Sequence, residues 1–152
     1  VASAAGAVVV TRIAFNIPGK PVGKGRPRFS RKSGVAFTPK ETRNHEAYVK
    51  MLATEAMKVG GEPTDLLMPP FATPVRLVVQ VMCQIPQSWN KAKREAAKAN
   101  IIRPGKPDLD NTVKLLADAM NGVVFTDDAL IYRVEATKMF AGIAVTTVEV
   151  YA

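Results

Sequence analysis

Val75-Arg-Leu-Val-Val-Gln-Val-Met-Cys-Gln-Ile85 alternates over its whole length, with Val75, Leu77, Val79, Val81, Cys83 and Ile85 on one side and Arg76, Gln80 and Gln84 on the other. A period of two belongs to a strand with one face on a core. Toward the N-terminus, Thr11, Ile13, Phe15 and Ile17 alternate with Arg12, Ala14 and Asn16 inside the β-branched run from Val8 to Ile17, which predicts a second strand. Toward the C-terminus, Leu130 to Phe140 and Ile143 to Tyr151 alternate again across Ala141-Gly142 and read as a hairpin. Helical spacing occupies the intervals. Tyr48, Met51, Leu52 and Ala56 recur within Lys40 to Lys58, behind Thr38 as N-cap and Pro39 as first helical residue. Ser88 caps a basic helix from Trp89 to Asn100. A further helix begins near Asp108 or Asp110, turns Leu109, Val113, Leu116 and Met120 inward, and stops at Asn121-Gly122. This mixture predicts an α+β fold: a single compact domain over residues 1–152, with a mixed or antiparallel sheet of about four strands, two or three helices, and residues 1–7 as a loose terminus.

The 152 residues have room for one ordinary domain. Lys and Arg total 21 against 13 Asp and Glu, a net charge of +8, which favours a polyanionic partner and points to nucleic acid. A hydrophobic content of 47% with 22% charged residues excludes general disorder. No apolar run reaches the ~18 residues of a membrane span, so no membrane partner is expected. Val1 to Gly6 lacks the basic start of a signal peptide, and a lone Cys83 excludes an internal disulfide and fits a reducing cytosol.

The charge is segregated. Nine of the 21 basic residues lie between Lys20 and Lys50, six lie between Lys91 and Lys106, and five of the 13 acids lie between Asp108 and Asp128. Pro18, Gly19, Pro21, Gly23, Gly25 and Pro27 open a long loop carrying Lys20, Lys24, Arg26, Arg28, Arg31 and Lys32, interleaved with Phe29 and Phe37; Lys40 and Arg43 follow. Lys91, Lys93, Arg94 and Lys98 make the second arm. Such side chains contact phosphates and confer salt-dependent affinity, with little sequence information.

Between the arms stands Lys106-Pro-Asp-Leu-Asp-Asn-Thr-Val-Lys114. A helix from Asp108 puts Asp110 and Lys114 on one face, opposite Leu109, Val113 and Leu116. Asp127 and Asp128 follow on the return, placed to supply a third carboxylate. Hard oxygen ligands beside an ammonium suit Mg²⁺, which keeps some waters and takes substrate phosphate. An acidic spot on a polyanion-binding surface is unfavourable unless a divalent cation inverts its sign. The plainer reading makes Asp108 or Asp110 an N-cap, pairs Lys114 with Asp118, and leaves Asp127-Asp128 as a polar turn. Asp108-Leu-Asp-Asn-Thr-Val113 also looks like the nucleophile loop of haloacid-dehalogenase-type phosphatases. That loop needs a buried strand before it, where Arg103-Pro-Gly-Lys-Pro107 stands, and a large α/β domain after it.

Lys106 to Lys114, then Asp118-Ala-Met-Asn-Gly122, then Thr126-Asp-Asp-Ala-Leu-Ile131 resemble the RusA-type Holliday junction resolvases of phages and prophages. Pro18 to Phe29 and Thr38-Pro-Lys40 look like the basic loop of the phage branch. The resemblance implies a Mg²⁺-dependent endodeoxyribonuclease, with Mn²⁺ as substitute, that works as a homodimer on four-way DNA in the cytoplasm of a bacterial host and needs no small-molecule cofactor. It implies Asp108, Asp110 and Asp128 as catalytic, metal-binding carboxylates, Lys114 as the catalytic lysine and Asn111 as a supporting residue. Asp127 is a further candidate ligand, and Asp118 matches a family position expected to place Lys114. Two rivals stay open: a non-catalytic DNA- or RNA-binding protein, and a nuclease acting on flaps or forks. His45 is expected at the surface or in a cap, Cys83 in the core, Trp89 packed at a helix start, and Met51, Met57, Met68 and Met82 as core filler.

Overall fold

The computed structural model describes residues 11–59 and 66–152. The chain runs β1 (Arg12–Pro18), β2 (Arg28–Phe29), β3 (Ala36–Phe37), α1 (Lys40–Ala56), β4 (Lys58–Val59), β5 (Leu66–Leu67), β6 (Val75–Gln84), α2 (Lys91–Lys98), α3 (Leu109–Met120), a 3₁₀ turn (Asp128–Leu130), β7 (Ile131–Ala141) and β8 (Val145–Tyr151). The loose terminus expected at residues 1–7, the Val8 start of the first strand, and Gly60, Gly61 and Pro63 of the following loop lie outside the described residues.

Strand β6 buries Val75, Leu77, Val79 and Val81 and sits inside a mixed sheet of order β1-β8-β6-β7, antiparallel to β8 and parallel to β7. The α+β class and the four-stranded sheet agree with the sequence; the hairpin does not. Strands β7 and β8 are consecutive but not hydrogen-bonded neighbours, because β6 lies between them and residues 142–144 carry the chain over its end. There the Ile85 amide donates to the Ala141 carbonyl at 3.2 Å. Alternation reveals which face a side chain takes, not which strand lies alongside, and the most continuously apolar strand takes an interior position.

Helices α1 and α3 cover one face of the sheet, where Val49, Ala53, Met57, Leu115, Leu116 and Met120 pack against Ile13, Ile17, Val148 and Val150. The other face is mixed, with charged and polar side chains toward the Arg76 end and Met82, Met139 and Val145 toward the other. Arg12, Tyr151 and Arg76 are register partners across it, with the Arg76 guanidinium 4.3 Å from the Tyr151 ring centre and 3.4 Å from Glu135.

Helix positions need several corrections. On α1 the buried stripe is Thr42, Val49 and Ala53, while Tyr48 and Met51 are exposed; the stripe is rotated so that Thr42 meets the glycine-rich segment. Pro39 is the N-cap and Lys40 the first helical residue. On α2 the cap is Asn90, not Ser88, and its side chain accepts from the Lys93 amide at 2.9 Å. Trp89 lies outside the helix and packs edge-on against Phe140, ring centres 5.2 Å apart. Helix α3 keeps its expected ends, with Asp108 as N-cap and Gly122 beyond its end at φ +78°. Its buried stripe, however, is Thr112, Leu115, Leu116, Ala119 and Met120, while Leu109 and Val113 are half-buried and lie on the side of Asp110 and Lys114 rather than opposite them.

Candidate active site and nucleic-acid interface

The site grows from the N-terminus of α3. Asp108 does not use its side chain as a cap; its carboxylate accepts from Lys106 Nζ at 2.9 Å. That bond first, and the Lys106 charge second, hold the carboxyl below the usual aspartate range. Lys138, on the inward side of β7, donates to the Pro107 carbonyl at 2.9 Å and to the Gly105 carbonyl, clamping the segment that leads into the helix. One turn on, Asp110, Lys114 and Asp118 follow one another at helical spacing and line a groove of about 660 Å³ between α3 and β7. Asp128 enters the same groove from the 3₁₀ turn, over an apolar floor that includes Val113, Ala117 and Ile131.

The structure thus places Asp110, Lys114 and Asp128 along one groove and Asp108 in a neighbouring concavity of about 340 Å³ with Lys20, Lys24 and Asn111. The Asp127 carboxylate accepts from the Ala129 amide at 2.9 Å. This bond, above all, keeps Asp127 below its usual range. Among the described residues, no three His, Cys, Asp or Glu side chains are gathered closely enough to hold a metal ion as they stand. In kind the donors fit a hard divalent cation: all are carboxylate oxygens, those of Asp108, Asp110 and Asp127 on exposed side chains.

Asp118 does not place Lys114. Its carboxylate takes Lys24 Nζ at 2.6 Å, and Glu46 on α1 takes the same ammonium at 2.9 Å. Lys114 has no ion pair among the described residues. Lys24 therefore ties the basic segment to two helices. Its amide adds a bond to the Asn111 carbonyl at 3.0 Å. Two glycines make this approach possible. A Cβ on Gly23 would lie 3.2 Å from Pro107 Cβ, and one on Gly25 would lie 2.7 Å from Thr42 Oγ1.

The remaining basic residues divide by surroundings. Arg26, Arg28, Arg31, Lys32, Lys40 and Arg43 are exposed, and Arg28 stands on the β2–β3 hairpin with exposed Phe29, Val35 and Phe37. Lys20 is exposed where the two concavities flanking the Lys106-Pro107 segment meet. On α2, Lys91 is exposed, Lys93 lies 4.0 Å from the Trp89 ring centre, Arg94 donates to the Pro86 carbonyl at 3.1 Å, and Lys98 pairs with Glu95 at 3.4 Å.

Sequence reasoning passed over Lys138, Glu46 and the Lys106–Asp108 pair. Lys138 carried a signal: it shares the parity of Ala136 and Phe140, on the side of Val79 and Val81, and a cation at such a position must find acceptors. Glu46 carried none, since its bond to Lys24 spans 22 residues. His45 is half-buried on α1, and burial lowers its basicity against the opposing charge of Glu41. Cys83 is half-buried beside the core.

Comparison with known proteins adds two findings. A family model described as endodeoxyribonuclease RusA matches residues 18–151, from the end of β1 through β8. YqaN of Bacillus subtilis (strain 168), described as uncharacterized, is 31% identical over 134 residues, which cover 85% of this chain and 88% of that one.

Proposed function

Since the chain belongs to the RusA endodeoxyribonuclease family, we propose that it resolves four-way DNA junctions as a homodimer, by metal-assisted phosphodiester hydrolysis in the α3–β7 groove. The observation that carries this reading is the placement of Asp110, Asp128 and Lys114 along one groove of a chain whose net charge is +8. Carboxylates alone would repel a phosphodiester, so the groove suits DNA only when a divalent cation is present. Asp110, Asp128 and Asp108 are the residues that would hold Mg²⁺ or Mn²⁺, with Asp127 as a further donor. Such an ion, when bound, supplies an activated water and offsets charge on the phosphate.

The chain's own residues do the rest. Lys114, unpaired among the described residues, extends along the groove to donate to a nonbridging or leaving oxygen. Lys106 and Lys138 fix the approach to α3 and keep the Asp108 carboxylate charged. The exposed cations of the β2–β3 hairpin and α2 take the arms of the junction by their phosphates. A second copy related by two-fold symmetry would nick the opposite strand, which is the reason to expect a dimer. No helix among the described residues is long and apolar enough to cross a membrane; it is the family membership that supports work on DNA in a bacterial cytoplasm.

The test is cleavage of a synthetic four-way junction with Mg²⁺ by the wild type, Asp110→Asn and Asp128→Asn. Both variants should lose roughly a hundredfold or more in rate while still binding the junction. Undiminished cutting by Asp110→Asn would refute the assignment. Binding without metal-dependent cutting by the wild type favours a non-catalytic protein, and faster cutting of flaps or forks favours a different branched substrate.

A further inference from the structure

Beside the Asp108 concavity lies a second cavity, of about 300 Å³, that the cleavage chemistry does not use. It is lined by Pro21, Pro104, Pro107, Phe140 and Cys83, together with the exposed residues Lys20, Lys106 and Gln84. Three features define what it would accept. The volume stands at the lower end of small-ligand sites, which suits one flat heterocycle and excludes a duplex. Proline and phenylalanine faces are the surfaces on which an unstacked base settles, and a glutamine amide can both donate to and accept from a base edge. The two rim cations suit the phosphates on either side of that base.

The cavity also adjoins the chemistry. Lys20, Pro21, Lys106 and Pro107 line both this cavity and the concavity holding Asp108, and Lys106 bonds the Asp108 carboxylate at 2.9 Å. Lys138 fastens the Gly105 and Pro107 carbonyls, so one wall is held in place before any ligand arrives.

We infer that this cavity receives a single unstacked DNA base next to the strand being cut, with Gln84 reading its edge and Lys20 and Lys106 holding the flanking phosphates. The inference rests on the reading of the α3–β7 groove as a nuclease site. At a four-way junction stacking is interrupted at the crossover, where taking a base out costs least. The cavity then gives the enzyme a preference for the base at the cut, which phosphate contacts alone cannot supply.

Cys83 is the only cysteine in the chain and lines this cavity, so its alkylation rate reports occupancy. Burial pushes its thiol up, so the reaction is run in alkaline buffer with an iodoacetamide reagent. Ca²⁺ replaces Mg²⁺ to prevent cutting. A saturating short single-stranded oligodeoxynucleotide should slow alkylation roughly fivefold or more, and blunt duplex of the same sequence should not. Homopolymers of different base should protect to different degrees, and Gln84→Ala should level those differences. Ala144→Phe, which fills the cavity from β8's entry, should abolish single-strand protection; the Gln84 variant carries the test should that protein fold poorly. An alkylation rate unchanged by single strand, whether that strand binds elsewhere by anisotropy or does not bind, overturns the inference. Four-way junction cleavage by the wild type, run in parallel, separates the two readings. Cutting without Cys83 protection defeats only the base cavity, and protection without cutting defeats only the resolvase reading.

Discussion

Lys24 stands 2.6 Å from Asp118 and 2.9 Å from Glu46, so one ammonium from the glycine-rich segment fastens α1 to α3. All three side chains are about a quarter exposed, which weakens the Coulomb gain without removing it. Lys24→Met would leave two carboxylates facing each other without a cation. The expected loss is about 1–3 kcal/mol in urea unfolding, and Lys24→Met/Asp118→Asn should recover part of it. Unchanged stability in the single variant would show that the ion pair does not hold the helices together.

The pH dependence of the site should centre on Asp108. Its folded pKa lies below the unfolded value, through the Lys106 bond and then the Lys106 charge. The contribution is therefore present above the ordinary aspartate value and lost as pH falls through the lower, folded one. Lys106→Gln should move the Asp108 midpoint upward, toward the ordinary aspartate range, in a carboxyl ¹³C NMR titration. An unmoved midpoint would mean that Lys106 does not govern the charge on Asp108.

These two lysines show how far a sequence can be read. Period-two patterns located β1, β6, β7 and β8, and the Asp108 and Gly122 ends located α3, because those signals depend on neighbours in the chain. Strand order was hidden, since β7 and β8 expose the same alternation whether they pair together or flank β6. The α1 face was misread because a buried threonine stands in its apolar stripe, where Thr42 Oγ1 takes the Gly25 amide at 3.0 Å. Lys24 read as a phosphate ligand, and nothing local revealed a carboxylate 94 residues away. That Asp110, Lys114 and Asp128 line one groove follows from helix spacing and a short return, whereas the expected convergence of Asp108 with them does not hold, because Asp108 faces the neighbouring concavity beside Lys106.

Gly25 should tolerate no side chain. A Cβ there would lie 2.7 Å from Thr42 Oγ1 and 3.0 Å from Pro39 Cγ, both on the fixed start of α1. Gly25→Ala should cost about 1–3 kcal/mol. Gly25→Ala/Thr42→Ala should lose less than the sum of the singles, because removing the hydroxyl relieves the shorter contact. Thermal unfolding of the four proteins tests this, and strict additivity would place the strain elsewhere.

The β2–β3 hairpin should set salt dependence rather than chemistry. Arg28 is exposed among Phe29, Val35 and Phe37. Arg28→Ala should weaken junction binding and lower the slope of log K against log salt by about one. The cutting rate of fully bound junction should stay the same. A fall in that rate with binding unchanged would move Arg28 from the DNA-holding surface into the reaction.

Lys138 should act through the segment it clamps. Its ammonium bonds the Pro107 carbonyl at 2.9 Å and the Gly105 carbonyl, immediately before Asp108, and is not in the α3–β7 groove. Lys138→Met removes both bonds, so the approach to α3 loosens and Asp108 loses a nearby positive charge. Cleavage of bound junction is expected to fall about tenfold, equivalent to ~1.4 kcal/mol of barrier, with junction affinity little changed. Asp108 itself provides the readout that a merely structural role would leave alone. Its ¹³C midpoint should rise in Lys138→Met, and Lys138→Arg, which keeps the charge and the donors, should restore both the midpoint and much of the rate. Equal rate losses in the Met and Arg variants, with the Asp108 midpoint unmoved in either, would reduce Lys138 to a packing residue.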